Sequence, residues 1–343
     1  MKKTNIECKS KELYEVLQVP FKGIINLSRI KLISMLVMAL CKVQTVNFER
    51  LAQAFNATAQ VSSNLRRIQR FIAKFELDPD LIARFIFALL PEKTNLCLSI
   101  DRSNWKFGKV DINVFMLGAT YNGVAFPLLF TMLNKRGNSS TRERILLLQR
   151  FIRLFGKDCI ESLVADREFV GDKWIEFLNK EEIKYYIRIR NNFKVYLPRK
   201  GKDVKVFWLF NHLKTGEYYH YPHIIRLGNQ LCYLSGGKIV ERDKGKTFLI
   251  IVSFNKPELA RESYEKRWQI ETCFRAMKTS GFNIEKTHLN QIDRVEKLLL
   301  LVMIAFVWCY TVGIYLNDEV KKIEIKAHGR KAKSIFKYGL DYI

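Results

Sequence analysis

The spacing of hydrophobic and polar positions changes twice along the chain. Through residue 90, apolar residues recur at helical intervals. Residues 47–55 (NFERLAQAF) have one apolar face, a polar break covers 56–60, and Ser62 or Ser63 can cap a second helix through Phe75. Asp78-Pro79-Asp80 opens another helix, which runs to Leu90, and Pro91 closes it. From residue 95 the texture becomes strand-like. Residues 95–100 (NLCLSI) predict a short strand ending at Asp101. Residues 112–120 and 124–133 predict two more, joined by Tyr121-Asn122-Gly123, and Asn-Gly between apolar runs is a tight-hairpin signal. Then come a helix over 141–155, a strand over 162–165 ending at Asp166, a helix over 171–181 and a strand over 184–189. Residues 191–248 break the alternation with Gly, Pro, aromatic and β-branched residues, which predicts a small β insertion. Residues 248–254 are a strand of that insertion or of the main sheet. One long helix over 257–279 follows, ended by Gly281.

A three-strand meander followed by helix–strand–helix–strand is the order of an α/β, ribonuclease H-like mixed sheet with helices on both faces. The expected division is a helical, helix-turn-helix-like domain over 1–92, a catalytic body over 93–190 and 249–317, the β insertion over 191–248, and a basic tail over 318–343. Residues 298–316 are uncharged and nearly long enough to span a bilayer. Their flanks, Arg294 to Lys297 and Asn317 to Glu319, show no one-sided positive bias. A helix buried in a large α/β core is expected instead, with no stable membrane association. Glu7, Glu12 and Glu15 precede any long apolar run, so no signal peptide is expected. Seven widely spaced cysteines without C-x-x-C predict a reduced, intracellular chain with no zinc frame, and His220 and His223 complete no ligand pattern.

Charge narrows the function. Lys and Arg number 58 against 34 Asp and Glu, a net charge of +24 over 343 residues. Solubility does not require such an excess, and neither does a small acidic metabolite. It favours a polyanion, nucleic acid before an anionic membrane. The helix over 62–75 carries Arg66, Arg67 and Arg70 behind a short turn. That pair resembles a helix-turn-helix, with an ordinary helical bundle as the alternative. The basic tail is either a solvated segment or a further nucleic-acid contact.

The candidate chemistry lies in carboxylates. Asp101 and Asp166 both sit at C-terminal ends of strands, where α/β sheets place their sites, and the meander makes those strands neighbours. Two such anions repel unless a cation lies between them. Mg²⁺, or Mn²⁺ in its place, suits an all-oxygen set, and a third carboxylate completes a two-metal site for displacement at phosphorus. At about 100° per residue, Tyr264, Arg267, Glu271, Arg275 and Lys278 fall on one stripe of the long helix. Glu271 then faces the metals while Arg267 and Lys278 grip phosphates. The alternative is ion pairing along the helix, such as Arg267 with Glu271. Trp268 is expected to pack. Arg188 and Arg190, one apart on a strand, share a face suited to a DNA backbone. Arg102 and Arg167, each next to an aspartate, would contact DNA or orient the carboxylates, and Lys106 and Lys109 add to the field.

These residues resemble the bacterial insertion-sequence transposases of the DDE type, in the group marked by Y-x2-R-x3-E-x6-K. Here the signature reads Tyr264, Arg267, Glu271 and Lys278, with residues 100–109 (IDRSNWKFGK) and 164–169 (VADREF) around the aspartates. The resemblance covers roughly residues 95–310. It implies that Asp101, Asp166 and Glu271 bind two divalent ions. It implies strand cleavage at transposon ends, passage through a hairpin and strand transfer to target DNA. Tyr264, Arg267 and Lys278 would hold phosphates, and an aromatic residue of the insertion, for which Trp208 is the candidate, would hold a flipped base. It further implies double-stranded DNA as partner (inverted repeats and target), a homodimer bridging two ends, and a bacterial cytoplasmic, nucleoid-associated setting. The rival readings are a ribonuclease H-like nuclease without strand transfer and a non-catalytic DNA-binding repressor.

Overall fold

The computed structural model describes residues 2–55, 59–108, 110–241, 245–327 and 329–343, with side chains from Lys11 onward. Most of the polar break (residues 56–58) and Lys109 lie outside the described residues. Helices α1 (Lys2–Phe21), α2 (Leu27–Val43), α3 (Phe48–Ala54), α4 (Val61–Lys74) and α5 (Pro79–Ala88) come first. Next are β1 (Leu96–Phe107), β2 (Val110–Tyr121), β3 (Val124–Met132), α6 (Thr141–Phe155), β4 (Ile160–Ala165), α7 (Asp172–Lys180) and β5 (Tyr185–Ile189). Six strands follow: β6 (Lys194–Leu197), β7 (Lys202–Lys205), β8 (Tyr218–His220), β9 (Ile225–Leu227), β10 (Gln230–Glu241) and β11 (Gly245–Ser253). The last elements are α8 (Ala260–Glu265), α9 (Trp268–Met277), α10 (Ile292–Tyr315) and α11 (Ile335–Tyr342).

Local sequence accounts for many of these boundaries. The Asn47 side chain accepts from the Arg50 amide to start α3, and that of Asp78 accepts from the Asp80 amide to start α5, with Pro79 in its first turn. Ser140 and Glu143 form a reciprocal capping box at α6. Asn122 and Gly123 both have positive φ, 44° and 90°, the conformation a two-residue hairpin between β2 and β3 requires. Helix α4 departs from expectation at its start. It begins at Val61 after Gln60, with no side-chain cap, so neither Ser62 nor Ser63 caps it.

By contacts the chain falls into two compact units. One comprises residues 1–91, 104–113 and 273–343; the other comprises 92–103 and 114–272. In the first, α10 is long and apolar enough to cross a membrane, yet 78% of its most apolar window is buried inside the protein. It packs against α2, α4, α5 and α11. The burial expected of this run is therefore met by helices, where an α/β core was expected. The free thiols of Cys41 on α2 and Cys309 on α10 lie 3.4 Å apart. Part of the expected tail is a docked helix: Phe336 and Leu340 of α11 are buried. Backbones approach closely there, since a methyl group on Gly339 would collide with the Cys309 carbonyl oxygen, and one on Gly313 with that of Ile335.

The second unit holds most of an eleven-strand mixed sheet. Its order is β3-β2-β1-β4-β5-β11-β10-β9-β6-β7, with β8 on β10. Strand β4 runs parallel to both β1 and β5, while β2–β3, β5–β11 and β10–β11 are antiparallel. Strand β11 pairs with β10 over its whole length and with β5 through Ile250–Ser253, so it belongs to both the main sheet and the insertion. Two expectations are corrected. Strand β1 does not stop at Asp101; it runs on to Phe107. The helix expected over 257–279 is broken between α8 and α9. Across the break the amides of Lys266, Arg267, Gln269 and Ile270 each bond the carbonyl three residues back. Such winding eclipses side chains three apart. It places Tyr264, in the core with Cys97, Val164, Tyr186, Ile251 and Ala260, in line with Arg267 and Ile270.

Candidate active site

The parallel ladder between β1 and β4 ends at the pair Ile100 and Ala165. Asp101 and Asp166 are the next residues on the two neighbouring strands, about 4.8 Å apart in the pairing direction. Asp101 Oδ1 accepts a hydrogen bond from the Arg102 amide at 2.7 Å. Burial pushes the Asp101 carboxyl up to about 7, against the Arg102 amide and the charge of Arg267, with Glu271 and Glu168 adding repulsion. Asp166 opens a short 3₁₀ turn, and its Oδ1 accepts from the Tyr264 hydroxyl at 3.1 Å. Burial pushes that phenol up to about 12.

Glu271 lies in the first turn of α9. Arg267 joins it to the aspartates. Nη1 donates to Glu271 Oε1 at 2.6 Å and stands 3.7 Å from Asp101 Oδ2. The guanidinium also lies 4.8 Å from the Trp268 ring centre and 5.6 Å from that of Tyr264. Burial opposes its charge, yet Tyr264, Glu271 and Asp166 hold it strongly protonated. Arg267 is only 5% exposed. The ion pair foreseen as the alternative to phosphate gripping, Arg267 with Glu271, is therefore present, and the same guanidinium also reaches Asp101, far away in the chain.

A second layer surrounds the aspartates. Arg102 makes a bidentate bond to Glu168 (2.7 and 2.9 Å) and also donates to the Gly137 carbonyl and Asn138 Oδ1. Arg144, buried, donates to the carbonyls of Ser139 and Glu168 and lies 5.2 Å from the Phe169 ring centre. Sequence reasoning missed Glu168 and Arg144. Glu168 stands two residues after Asp166, but its partner is 66 positions away and the sequence carries no sign of the pairing. Arg188 on β5 donates to Glu241 at 2.5 Å, next to Tyr264 and Asp166.

The remaining candidates are scattered. Arg190 is exposed just past β5, as is Arg167 past Asp166. Trp208 is 63% exposed and stacked on Phe207, so it is not a core residue of the insertion. Trp268, expected to pack, is 57% exposed, because the break turns it outward beside Arg267. In the helical unit, Lys278 bonds Glu285 at 2.6 Å and lies over Trp105, while Arg275 is exposed. Arg66 and Arg70 are exposed on α4 and Arg67 is half-buried. Lys106 stands 3.8 Å from Asp111.

Among the described residues, no three His, Cys, Asp or Glu side chains meet in a geometry that could hold a metal ion. The donor chemistry nevertheless fits a hard cation. The set is oxygen-only, and crowding by Glu271 and Glu168 adds to the burial that raises Asp101, a penalty positive charge would relieve. The guanidinium of Arg267 supplies that charge here.

The family model described as the transposase DDE domain matches residues 96–308. Those residues include both aspartates, Glu271 and the broken helix. No curated protein sequence matches. Among solved structures, the piggyBac transposase synaptic complex with hairpin DNA, studied by cryo-electron microscopy, is similar at a TM-score of 0.49 and 13% identity, over 99% of this chain and 76% of that one. With more than half of its length matched by the family model, the chain belongs to the DDE-domain transposases.

Proposed function

We propose that this protein is a bacterial insertion-sequence transposase of the Tyr-Arg-Glu-Lys group, with a ribonuclease H-like catalytic body. It cleaves transposon ends and joins them to target DNA, by cut-and-paste through a hairpin. The observation that carries the reading is the bridge between distant carboxylates: Arg267 on Glu271 and beside Asp101, with Tyr264 on Asp166. Asp101, Asp166 and Glu271 would hold two Mg²⁺ ions, with Mn²⁺ as substitute. When bound, the ions supply Lewis acidity at the scissile phosphate and a more acidic attacking hydroxyl.

The chain's own residues prepare that site. Tyr264 fixes the rotamer of Asp166, the Arg102 amide fixes Asp101, and Arg267 keeps Glu271 turned toward both. Arg267 then has a phosphate as its alternative partner, and its buried Nε, without an acceptor here, is a donor in reserve. Arg188, Arg190, Arg275 and Lys278 contact the backbone of double-stranded DNA. Trp208, an exposed ring on a stacked pair, holds a flipped base. Helical residues 1–92 recognise the inverted repeats, with Arg66, Arg67 and Arg70 among their DNA contacts, and the enzyme works in the bacterial cytoplasm as a homodimer bridging two ends.

The test is an assay on DNA carrying the element's ends. With Mg²⁺ the purified protein yields hairpins and strand-transfer products, and chelation stops both. Asp101→Ala, Asp166→Ala and Glu271→Ala each abolish cleavage and retain salt-sensitive binding. Nicks without joined products would mean a nuclease. Loss of binding in all three variants would make the carboxylates structural.

A further inference from the structure

Outside the carboxylate site, the helical unit carries a basic trough that takes in Arg66 and Arg70 and extends beyond α4. Two cavities, of about 750 and 330 Å³, adjoin through the shared residues Phe48, Gln69 and Leu289. Arg66, Arg70 and Lys74 of α4 and Arg294 in the first turn of α10 line the larger; Lys286 lines the smaller. Among the described residues, Glu49 is the one acidic residue lining either cavity.

Three observations point to an outside anion. First, none of the five cations has an ion-pair partner among the described residues, although shorter-range pairs such as Lys278–Glu285 form nearby in the chain. Second, Arg66, Arg70 and Lys74 repeat every fourth residue on one helix face. Like charges at that spacing cost a helix a few tenths of a kcal/mol per pair, so intramolecular stability does not explain them. Each step advances about 6 Å along the axis, the scale of successive phosphates on one strand. Third, the Nε of Arg294, in the wall of the trough, is buried with no acceptor. A buried N–H of this kind calls for one, and a phosphate oxygen arriving from solvent would provide it.

We propose that this trough seats the sugar–phosphate backbone of duplex DNA, with Arg294 as its anchor and Arg66, Arg70 and Lys74 as a row of phosphate contacts. It differs from a recognition helix reading bases: the contacts fix position and carry no sequence information. The proposal rests on the transposase reading only for the identity of the polyanion.

The test is fluorescence anisotropy of the full-length protein with a short labelled duplex, in chelator, across a salt series. Each phosphate contact contributes ~0.9 to the slope of log K against log salt. Arg294→Gln and Arg70→Gln should each weaken binding several-fold and lower that slope by about one, and the triple variant of Arg66, Arg70 and Lys74 to Gln by about three. Far-ultraviolet melts establish folding, and the exposed Arg70 carries the test if the Arg294 variant does not fold. Unchanged slopes in folded variants overturn the proposal. So does equal competition by polyglutamate with the same losses, which would mean an acidic protein partner. Wild-type protein that cuts and joins DNA while the slopes stay fixed would sink the trough alone. Falling slopes without cleavage or joining would sink the transposase reading alone.

Discussion

Asp101 is half-buried, hydrogen-bonded through one oxygen and 3.7 Å from a guanidinium, and its carboxyl still rises to about 7. Its folded pKa thus lies above the ordinary 3.8, so the folded state holds this proton more tightly than the unfolded chain does. The resulting stabilisation is complete below about pH 4 and is lost as pH rises toward about 7. In chelator, urea unfolding of the protein should show stability falling across that window, and Asp101→Asn should flatten the fall; an unchanged slope in the variant would assign it to another group. The closeness of Asp101 and Asp166 was legible in the sequence because each follows an apolar run on neighbouring strands, although β1 runs on past Asp101. Glu168 and Arg144 were not, because an arginine becomes a positioning group only through the carbonyls and carboxylate it meets in space. Trp268 was misread for a related reason: a helical wheel at constant pitch cannot register overwinding.

At the scale of elements, the chain announces those whose ends are fixed locally. Helix α6 carries its capping box, and the β2–β3 hairpin carries Asn-Gly. It conceals those shaped by distant packing. The break between α8 and α9 arises because Tyr264 is drawn into a core built by β1, β4, β5 and β11, which no periodicity within 257–279 reveals. Helix α11 is similar: its sequence reads as the end of a basic tail, yet it lies on α10 by way of two glycines. Gly339→Ala should cost about 1–3 kcal/mol by overpacking and free α11 from α10. Urea unfolding measures the loss, and limited proteolysis should find new cleavage after residue 330; a variant of native stability and protease resistance would refute the close contact.

For the whole molecule, the linear division expected from sequence and the division by contacts are different things. The chain passes between the two units at 91–92, 103–104, 113–114 and 272–273. Helices α2, α4 and α5 pack on α10, which comes some two hundred residues later. A fragment of residues 1–91 would expose those apolar faces. It should lack a cooperative thermal transition by circular dichroism and should bind a hydrophobic dye, whereas a sharp melt would show that the first five helices stand alone. The five tryptophans are also unevenly placed. Trp174 and Trp308 are buried, whereas Trp208 and Trp268 are more than half exposed. Trp268 moreover has the Arg267 guanidinium 4.8 Å from its ring centre. Whatever draws that cation away, whether a nucleotide or a competing ion, changes the electric field on the indole. The protein therefore carries an optical reporter beside its carboxylates, readable with no label as the share of red-edge emission that Trp268→Phe removes, the exposed Trp208 supplying the rest.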